Sequence, residues 1–141
     1  MQHQTIARIR ATRPSVAPLV VRVASGVVFV SFSLGKFARH GAEADAFDRY
    51  GIPLPDATTY LAGGVELACG VLLILGLMTR PAALALAANM AVAIATAGRI
   101  DGGPVHLGLA PALLVCMLYL VWAGGGARSA DLRAAPLRGV T

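Results

Sequence analysis

Four long apolar segments dominate this chain, and they limit the folds that it can adopt. A helix needs about 20 consecutive, mostly apolar residues to cross a bilayer. The segments run from about Val16 to Phe37, Ala57 to Met78, Pro81 to Ile100 and Pro104 to Ala123. The sequence therefore predicts an all-α fold, a bundle of four transmembrane helices.

The composition agrees with a surface that faces lipid. Hydrophobic residues make up 57% of the 141 residues and charged residues only 13%, too few to cover a soluble domain of this size. The net charge is +5, but the basic residues form no patch interleaved with aromatic side chains, so no nucleic-acid partner is predicted. We expect a cytoplasmic N-terminal segment at 1–15, a transmembrane domain at 16–123 and a cytoplasmic tail at 124–141 with little fold of its own.

The positions of the basic residues predict the orientation of the bundle, because cytoplasmic segments carry an excess of arginine and lysine. Seven arginines fall on the side of the two termini and of the connection between spans two and three: Arg8, Arg10, Arg13, Arg80, Arg128, Arg133 and Arg138. Five acidic residues offset the positive charge on the opposite side. That side has four basic residues: Lys36, Arg39, Arg49 and Arg99. We therefore expect both termini in the cytoplasm.

The connection between spans one and two is the longest, and it contains a second helical pattern. Glu43–Tyr50 has helix-forming residues with Phe47 and Tyr50 as apolar anchors, and Gly51-Ile52-Pro53 ends the pattern. This predicts a short helix on the outer membrane surface. An irregular loop is the alternative.

Small residues in span two predict where helices approach one another. Gly63 and Gly70 lie three residues before and four residues after Glu66, so the three residues share one helical face. In lipid, helices associate through close packing at such small residues. We expect Gly63 and Gly70 to contact a neighbouring helix.

Glu66 is the most unusual residue of the apolar segments. It lies nine residues, or about 13 Å, from the outer end of span two, too deep for a short carboxylate side chain to reach water. An acidic residue inside a membrane indicates a functional site by default. The alternative is a hydrogen bond that only holds helices together.

Four other polar residues fall in the outer half of the predicted bundle: Lys36, Asn89, Arg99 and His106. Each alone has a simpler interpretation, as an interface anchor, an interhelical hydrogen bond or an interfacial residue. Their common level predicts that they converge on Glu66 as ligand-binding or proton-transfer residues. Arg22, in the cytoplasmic half of span one, is instead expected to extend towards the cytoplasmic interface.

The two cysteines, Cys69 and Cys116, share a predicted depth, but no CxxC, zinc or haem-attachment spacing is present. We interpret them as packing residues, with a disulfide as the alternative. A carboxylate, an imidazole and an ammonium group suit a quinone site, because quinol oxidation releases two protons. The same groups suit proton-coupled movement of a small solute.

Several stretches resemble the DoxX family, and together they cover about Arg22 to Asp131. Arg22-x3-Gly26-x2-Phe29-x6-Lys36 resembles the family's first-helix pattern, and Tyr50-Gly51-Ile52-Pro53 resembles its outer-loop turn. The most specific stretch is Leu61-Ala-Gly-Gly-Val-Glu66-Leu-x-x-Gly70, followed by Leu75-Gly76-Leu77-x-Thr79-Arg80, and the closing motif is Gly126-x-Arg128-Ser129-x-Asp131. Many members have His-Gly where this chain has Phe32-Ser33, so a role for that histidine does not carry over.

The resemblance implies a small multi-pass protein of the bacterial plasma membrane that is linked to redox systems. Members are described as membrane partners of thiosulfate:quinone or terminal quinol oxidoreductases, and an actinobacterial member is associated with superoxide dismutase and a thiosulfate sulfurtransferase. The leading hypothesis is a quinone- or thiol-linked subunit that anchors a soluble oxidoreductase and binds quinone near Glu66. We do not expect it to be catalytic alone.

Two other functions remain open at this stage. One is a non-catalytic membrane scaffold, in which Glu66 with Lys36 or His106 only fixes the bundle. The other is a small-solute or proton-coupled transporter, which is less favoured because the spans show no obvious broken helix or inverted repeat. A homo-oligomer is compatible with each function.

Overall fold

The computed structural model describes residues 15–133, and within this range every regular element is helical. The elements are, in chain order, α1 (Val16–Ala38), α2 (His40–Arg49), α3 (Pro55–Leu75), α4 (Thr79–Ala95), α5 (Ala97–Ile100), a π-helical turn (Val105–Leu109), α6 (Ala110–Ala123) and α7 (Ala130–Arg133). The predicted all-α fold is confirmed. Arg8, Arg10, Arg13 and Arg138 lie outside the described residues, and the orientation of the termini stays a prediction.

Four helical segments are long and apolar enough to cross a membrane, as predicted: Val16–Ala38, Pro55–Leu75, Thr79–Ile100 and Val105–Ala123. The third span is interrupted at Thr96, between α4 and α5, a break that the sequence analysis did not expect. The Thr96 hydroxyl donates a hydrogen bond to the carbonyl of Val92 one turn earlier. This back-bonding competes with the helical hydrogen-bond pattern and bends helices.

The four spans close into a ring of antiparallel neighbours. α1 packs along α3 and α4 along α6, and smaller contacts between α3 and α4 and between α1 and α6 complete the bundle. The closest approach is between α1 and α3. A Cβ atom added to Gly26 would lie 2.8 Å from the carbonyl oxygen of Gly70. Only glycine fits at this crossing, as close packing in lipid requires.

The two ends of the bundle differ. α2 packs on α3 at one end, which we call the α2 end, and residues 124–133 pack at the other, which we call the tail end. Near the tail end the interior is solid, with fully buried side chains from three spans: Leu73, Leu86, Met117 and Leu120. Near the α2 end a cavity takes the place of this core. The positive-inside rule predicts that the α2 end is the outer one.

α2 confirms the predicted short helix between spans one and two, although it begins at His40 rather than Glu43. The expectation of a tail with little fold is wrong for residues 124–133. Ser129 and Asp131 are at most 1% exposed, and the Asp131 amide donates a 2.9 Å hydrogen bond to the carbonyl of Gly76. These contacts fix the start of the tail against the turn between α3 and α4.

Candidate functional site

A cavity of about 630 Å³ lies in the α2-end half of the bundle, among the four spans and beneath α2. Its deeper walls are apolar side chains: Phe29, Phe32, Met90, Leu109 and Leu113. Its polar lining groups include the side chains of Lys36, Glu66 and Asn89. Ligand sites in proteins usually have this character, a mostly apolar cavity of about 300–1,000 Å³ with a few placed polar groups.

Glu66 is the deepest acidic residue of the cavity, and two of the predicted partners bind it directly. Its Oε2 atom lies 2.9 Å from the Lys36 Nζ atom, and its Oε1 atom accepts a 2.7 Å hydrogen bond from the Asn89 amide. Glu66 is 3% exposed, so the carboxylate is removed from bulk water. The predicted convergence of Glu66, Lys36 and Asn89 is therefore what the structure shows, and we call these residues the polar triad.

The face around Glu66 explains how the triad forms. Gly63 and Gly70 are buried against α1, where a Cβ atom on Gly63 would lie 3.5 Å from the Cβ atom of Lys36. The Ser33 hydroxyl donates a 2.8 Å hydrogen bond to the carbonyl of Gly63, which holds α1 in register with α3. The small side of α3 thus lets α1 approach until the lysine reaches the carboxylate.

The other two predicted residues are placed differently. His106 lines the cavity near its mouth, with Nδ1 3.3 Å from the carbonyl oxygen of Gly102 and not bonded to a residue of the triad. Arg99 is exposed and does not line this cavity. The sequence analysis placed Arg99 by depth alone. It follows the interruption at Thr96, so the period of α4 does not determine its direction.

The mouth of the cavity carries a polar bridge that the sequence analysis missed. The Tyr50 hydroxyl, at the end of α2, donates a hydrogen bond to the Asp101 carboxylate, which also lies 3.7 Å from Arg49 Nη2. The ring of His106 meets the ring of Tyr50 edge-on at 6.3 Å. Burial raises the pKa of Tyr50 to about 12, and the Asp101 carboxylate contributes further. The bridge connects the end of α2 to the residue that follows α5, at the end of span three.

A second polar cluster closes the tail end, and it corrects the expectation for Arg22. This arginine is 2% exposed and donates hydrogen bonds of 2.6–2.8 Å to the carbonyls of Leu73, Ile74 and Gly125. Leu73 and Ile74 lie in the last turn of α3, where carbonyls lack partners within the helix. Arg22 therefore satisfies a helix end instead of extending to the membrane interface.

Asp131 completes this cluster by capping a helix that is distant in sequence. Its two carboxylate oxygens accept hydrogen bonds of 2.8 and 2.9 Å from the amides of Met78 and Thr79, at the start of α4. The carboxylate also interacts electrostatically with Arg22. The sequence signal was the closing motif with Ser129 and Asp131, which the sequence analysis quoted without assigning a role.

Cys69 and Cys116 are both partly buried free thiols, and both pack against the hydrophobic core. The structure thus contains no disulfide between them. Their packing in the core agrees with the simpler of the two interpretations.

Fold and site together define a small polytopic membrane protein whose four helices enclose a cavity with an intramembrane ion pair. Comparison with known proteins narrows this class. The DoxX family model matches residues 17–99, more than half of the chain. A relative from Mycobacterium tuberculosis (strain ATCC 25618 / H37Rv), the uncharacterized membrane protein Rv3486, is 34% identical over 134 residues, which covers 85% of this chain and 81% of the relative.

The chain belongs to the DoxX family. The matched residues include the whole polar triad, whereas the mouth residue Asp101 and the tail cluster residue Asp131 lie beyond them. No solved structure matches the chain.

Proposed function

We propose that this protein is the membrane subunit of a redox complex in the bacterial plasma membrane, and that its cavity binds the head group of a quinone at the polar triad. The observation that carries the proposal is the Lys36–Glu66 ion pair, which lies in the wall of a 630 Å³, mostly apolar cavity at membrane depth. Ionisable residues inside membranes mark sites for substrates or protons more often than they serve packing.

The groups in the cavity fit a quinone. Within residues 15–133 the Lys36 ammonium donates one hydrogen bond, to Glu66, which leaves two of its three N–H groups for a carbonyl oxygen. Glu66 can accept a hydrogen bond from a hydroxyl group in the same place. Phe29, Met90 and Leu113 supply apolar contacts for a flat ring. The site thus offers a donor for the oxidised head group and an acceptor for the reduced one.

A bound quinone would supply a redox couple, because quinone and quinol interconvert by transfer of two electrons and two protons. The residues of this chain bind and orient the head group, exclude bulk water through α2 and the apolar walls, and hold a proton acceptor at Glu66. The electrons are exchanged with a soluble oxidoreductase, for which the family resemblance suggests a superoxide dismutase or sulfurtransferase-type partner or a thiol-linked enzyme. We expect this partner to bind at the α2 end, because that surface is nearest to the cavity.

Quinone binding is tested with the full chain in lipid nanodiscs. Binding of a long-chain isoprenoid quinone is measured by thermal stabilisation over a quinone titration and by the quinone retained on the protein after gel filtration, for the wild type, Glu66→Gln and Lys36→Met. Asp45→Asn, on the exposed face of α2, is the matched control. We expect saturable binding in the wild type and the control, and its loss in both triad variants. Wild-type protein without saturable binding would refute the proposal.

A non-catalytic scaffold is the second candidate, and a specific observation favours it. The triad joins three helices, because Lys36, Glu66 and Asn89 lie on α1, α3 and α4. If Glu66→Gln lowers thermal stability while quinone binding is unchanged, the triad is structural. A small-solute transporter is the third candidate, and the interruption at Thr96 is the observation in its favour. It predicts solute uptake into proteoliposomes without a soluble partner.

A further inference from the structure

Two side chains that line the cavity also have large exposed fractions. Phe32, on α1, is 42% exposed, and Val105, the first residue of the π-helical turn, is 43% exposed. Phe32 lies six residues before the end of α1, or about 9 Å along the helix axis. At that depth lipid surrounds the bundle, so an opening beside Phe32 would lead into the bilayer. We interpret the exposed fractions of these two lining residues as an opening of the cavity towards lipid.

These residues lie on the two sides of a gap between spans one and four. α1 packs along α3 over its length but has few contacts or none with the π-helical turn. Ser31 is exposed on the same side of α1 and lines the cavity, and Leu109 lines it one turn beyond Val105. We call the opening between Ser31 and Phe32 on one side and Val105 and Leu109 on the other the lateral portal.

The remaining approaches to the cavity are more closed. Between α3 and α4, Val92 is exposed and lines the cavity, but Thr58 and Ala62 across from it are partly buried, and α2 packs on α3. At the aqueous mouth, the hydrogen bond from Tyr50 to Asp101 connects the end of α2 to the end of span three. The mouth also has exposed cavity residues on both sides, but there Arg49 and Asp101 lie 3.7 Å apart. At the lateral portal no hydrogen bond or ion pair joins the two sides within residues 15–133.

We propose that the ligand of the cavity is a membrane-resident amphiphile with a carbonyl-bearing head group and a long apolar tail. The molecule enters sideways from the half of the bilayer at the α2 end, and its tail lies across the lateral portal. This inference rests on the proposed function, which places the head group at the polar triad. It adds the route by which the ligand enters and the contact of its tail with the lateral portal. A tail that stays in lipid avoids the unfavourable exposure of apolar surface to water.

The proposal is tested by photo-crosslinking from defined positions. The photoreactive residue p-benzoylphenylalanine replaces Phe32 or Val105, and the full chain is reconstituted in liposomes that contain a long-chain isoprenoid quinone. Leu34 on α1 and Leu107 on the π-helical turn are matched controls, because they are 55% and 58% exposed but do not line the cavity. The photoreactive residue at Val92 tests entry between α3 and α4, and at Ile52 it tests entry through the aqueous mouth. Adducts are identified by mass spectrometry.

We expect quinone-tail adducts at positions 32 and 105 and their loss when an excess of a tail-less quinone competes for the head-group site. Equal labelling at positions 34 and 107, or labelling that a tail-less quinone does not reduce, would overturn the portal, since both describe bulk lipid contact. Adducts at position 92 or 52 instead would also overturn it, while the cavity remained a quinone site. Absence of saturable quinone binding in every variant would overturn the proposed function itself.

Discussion

Removal of the Lys36 ammonium is expected to destabilise the bundle more than removal of the Glu66 charge. Lys36→Met leaves a carboxylate whose side chain is 4% exposed, and breaking a buried ion pair on one side costs about 3–5 kcal/mol. The Lys36 side chain is 14% exposed, so the pair is not fully buried and we expect the lower figure, about 3 kcal/mol. Glu66→Gln retains an amide oxygen for Asn89, and the long lysine side chain can turn towards the mouth, so about 1–2 kcal/mol is expected.

The double variant Lys36→Met/Glu66→Gln contains neither charge and is expected to lose only about 1 kcal/mol. The resulting coupling energy between the two residues is about 3–4 kcal/mol, at or just above the upper end of the range for residues in contact. It is measured as a double-mutant cycle, from the helical circular dichroism signal during titration of micelles with SDS. A coupling below about 0.5 kcal/mol would show that the pair does not act as a buried unit. Lys36→Met as stable as the wild type would refute the reasoning.

Three further predictions concern other parts of the bundle. In the same unfolding assay Gly26→Ala is expected to lower the free energy of unfolding by about 1–3 kcal/mol, because its Cβ atom would lie 2.8 Å from the carbonyl oxygen of Gly70. Gly64→Ala is the control and should cost nothing, because no atom lies within 4 Å of its Cβ position. Equal losses in the two variants would contradict this account. Asp131→Ala removes the cap of α4 and is expected to cost about 2 kcal/mol, whereas exposed Asp45→Ala should be neutral. Tyr50 has a pKa of about 12, raised mainly by burial, so its stabilising contribution is complete below pH 10 and is lost as the pH rises through 12. A pH titration of tyrosinate absorbance should show a tyrosine that ionises near pH 12. This titration step should be absent in Tyr50→Phe and should move to lower pH in Asp101→Asn.

The sequence was sufficient to predict the triad because depth in a bilayer follows from counting residues along straight helices. Glu66 and Asn89 both lie in regular helices, and Lys36 has a long side chain that tolerates an error of a few ångströms. The glycine spacing around Glu66 added the direction of the face. These local regularities place three side chains from three different helices in contact, as the structure shows.

The sequence was insufficient where a contact depends on the rotation of a helix or on distant backbone groups. Arg99 follows a helix break, so its direction is independent of the period of α4. Arg22 was assigned by the reach of its side chain alone, whereas its partners are backbone carbonyls, which leave no signature in side-chain patterns. The glycine at position 76 was the one sequence signal near Arg22. The structure explains it: Gly76 has φ +68°, and a Cβ atom there would lie 2.8 Å from the Arg22 guanidinium carbon.

The position of Arg22 also has a consequence for biosynthesis. This arginine belongs to the first span to leave the ribosome, but its hydrogen bond to Gly125 joins residues 103 positions apart. Until the last part of the chain is made, the nascent first helix contains a charge that lipid does not solvate well. Two of the Arg22 hydrogen bonds can form once α3 is made, but the third needs the segment that follows α6. A chain that ends at Ala123 is expected to be degraded rapidly in cells, and pulse-chase labelling beside the full-length protein measures this.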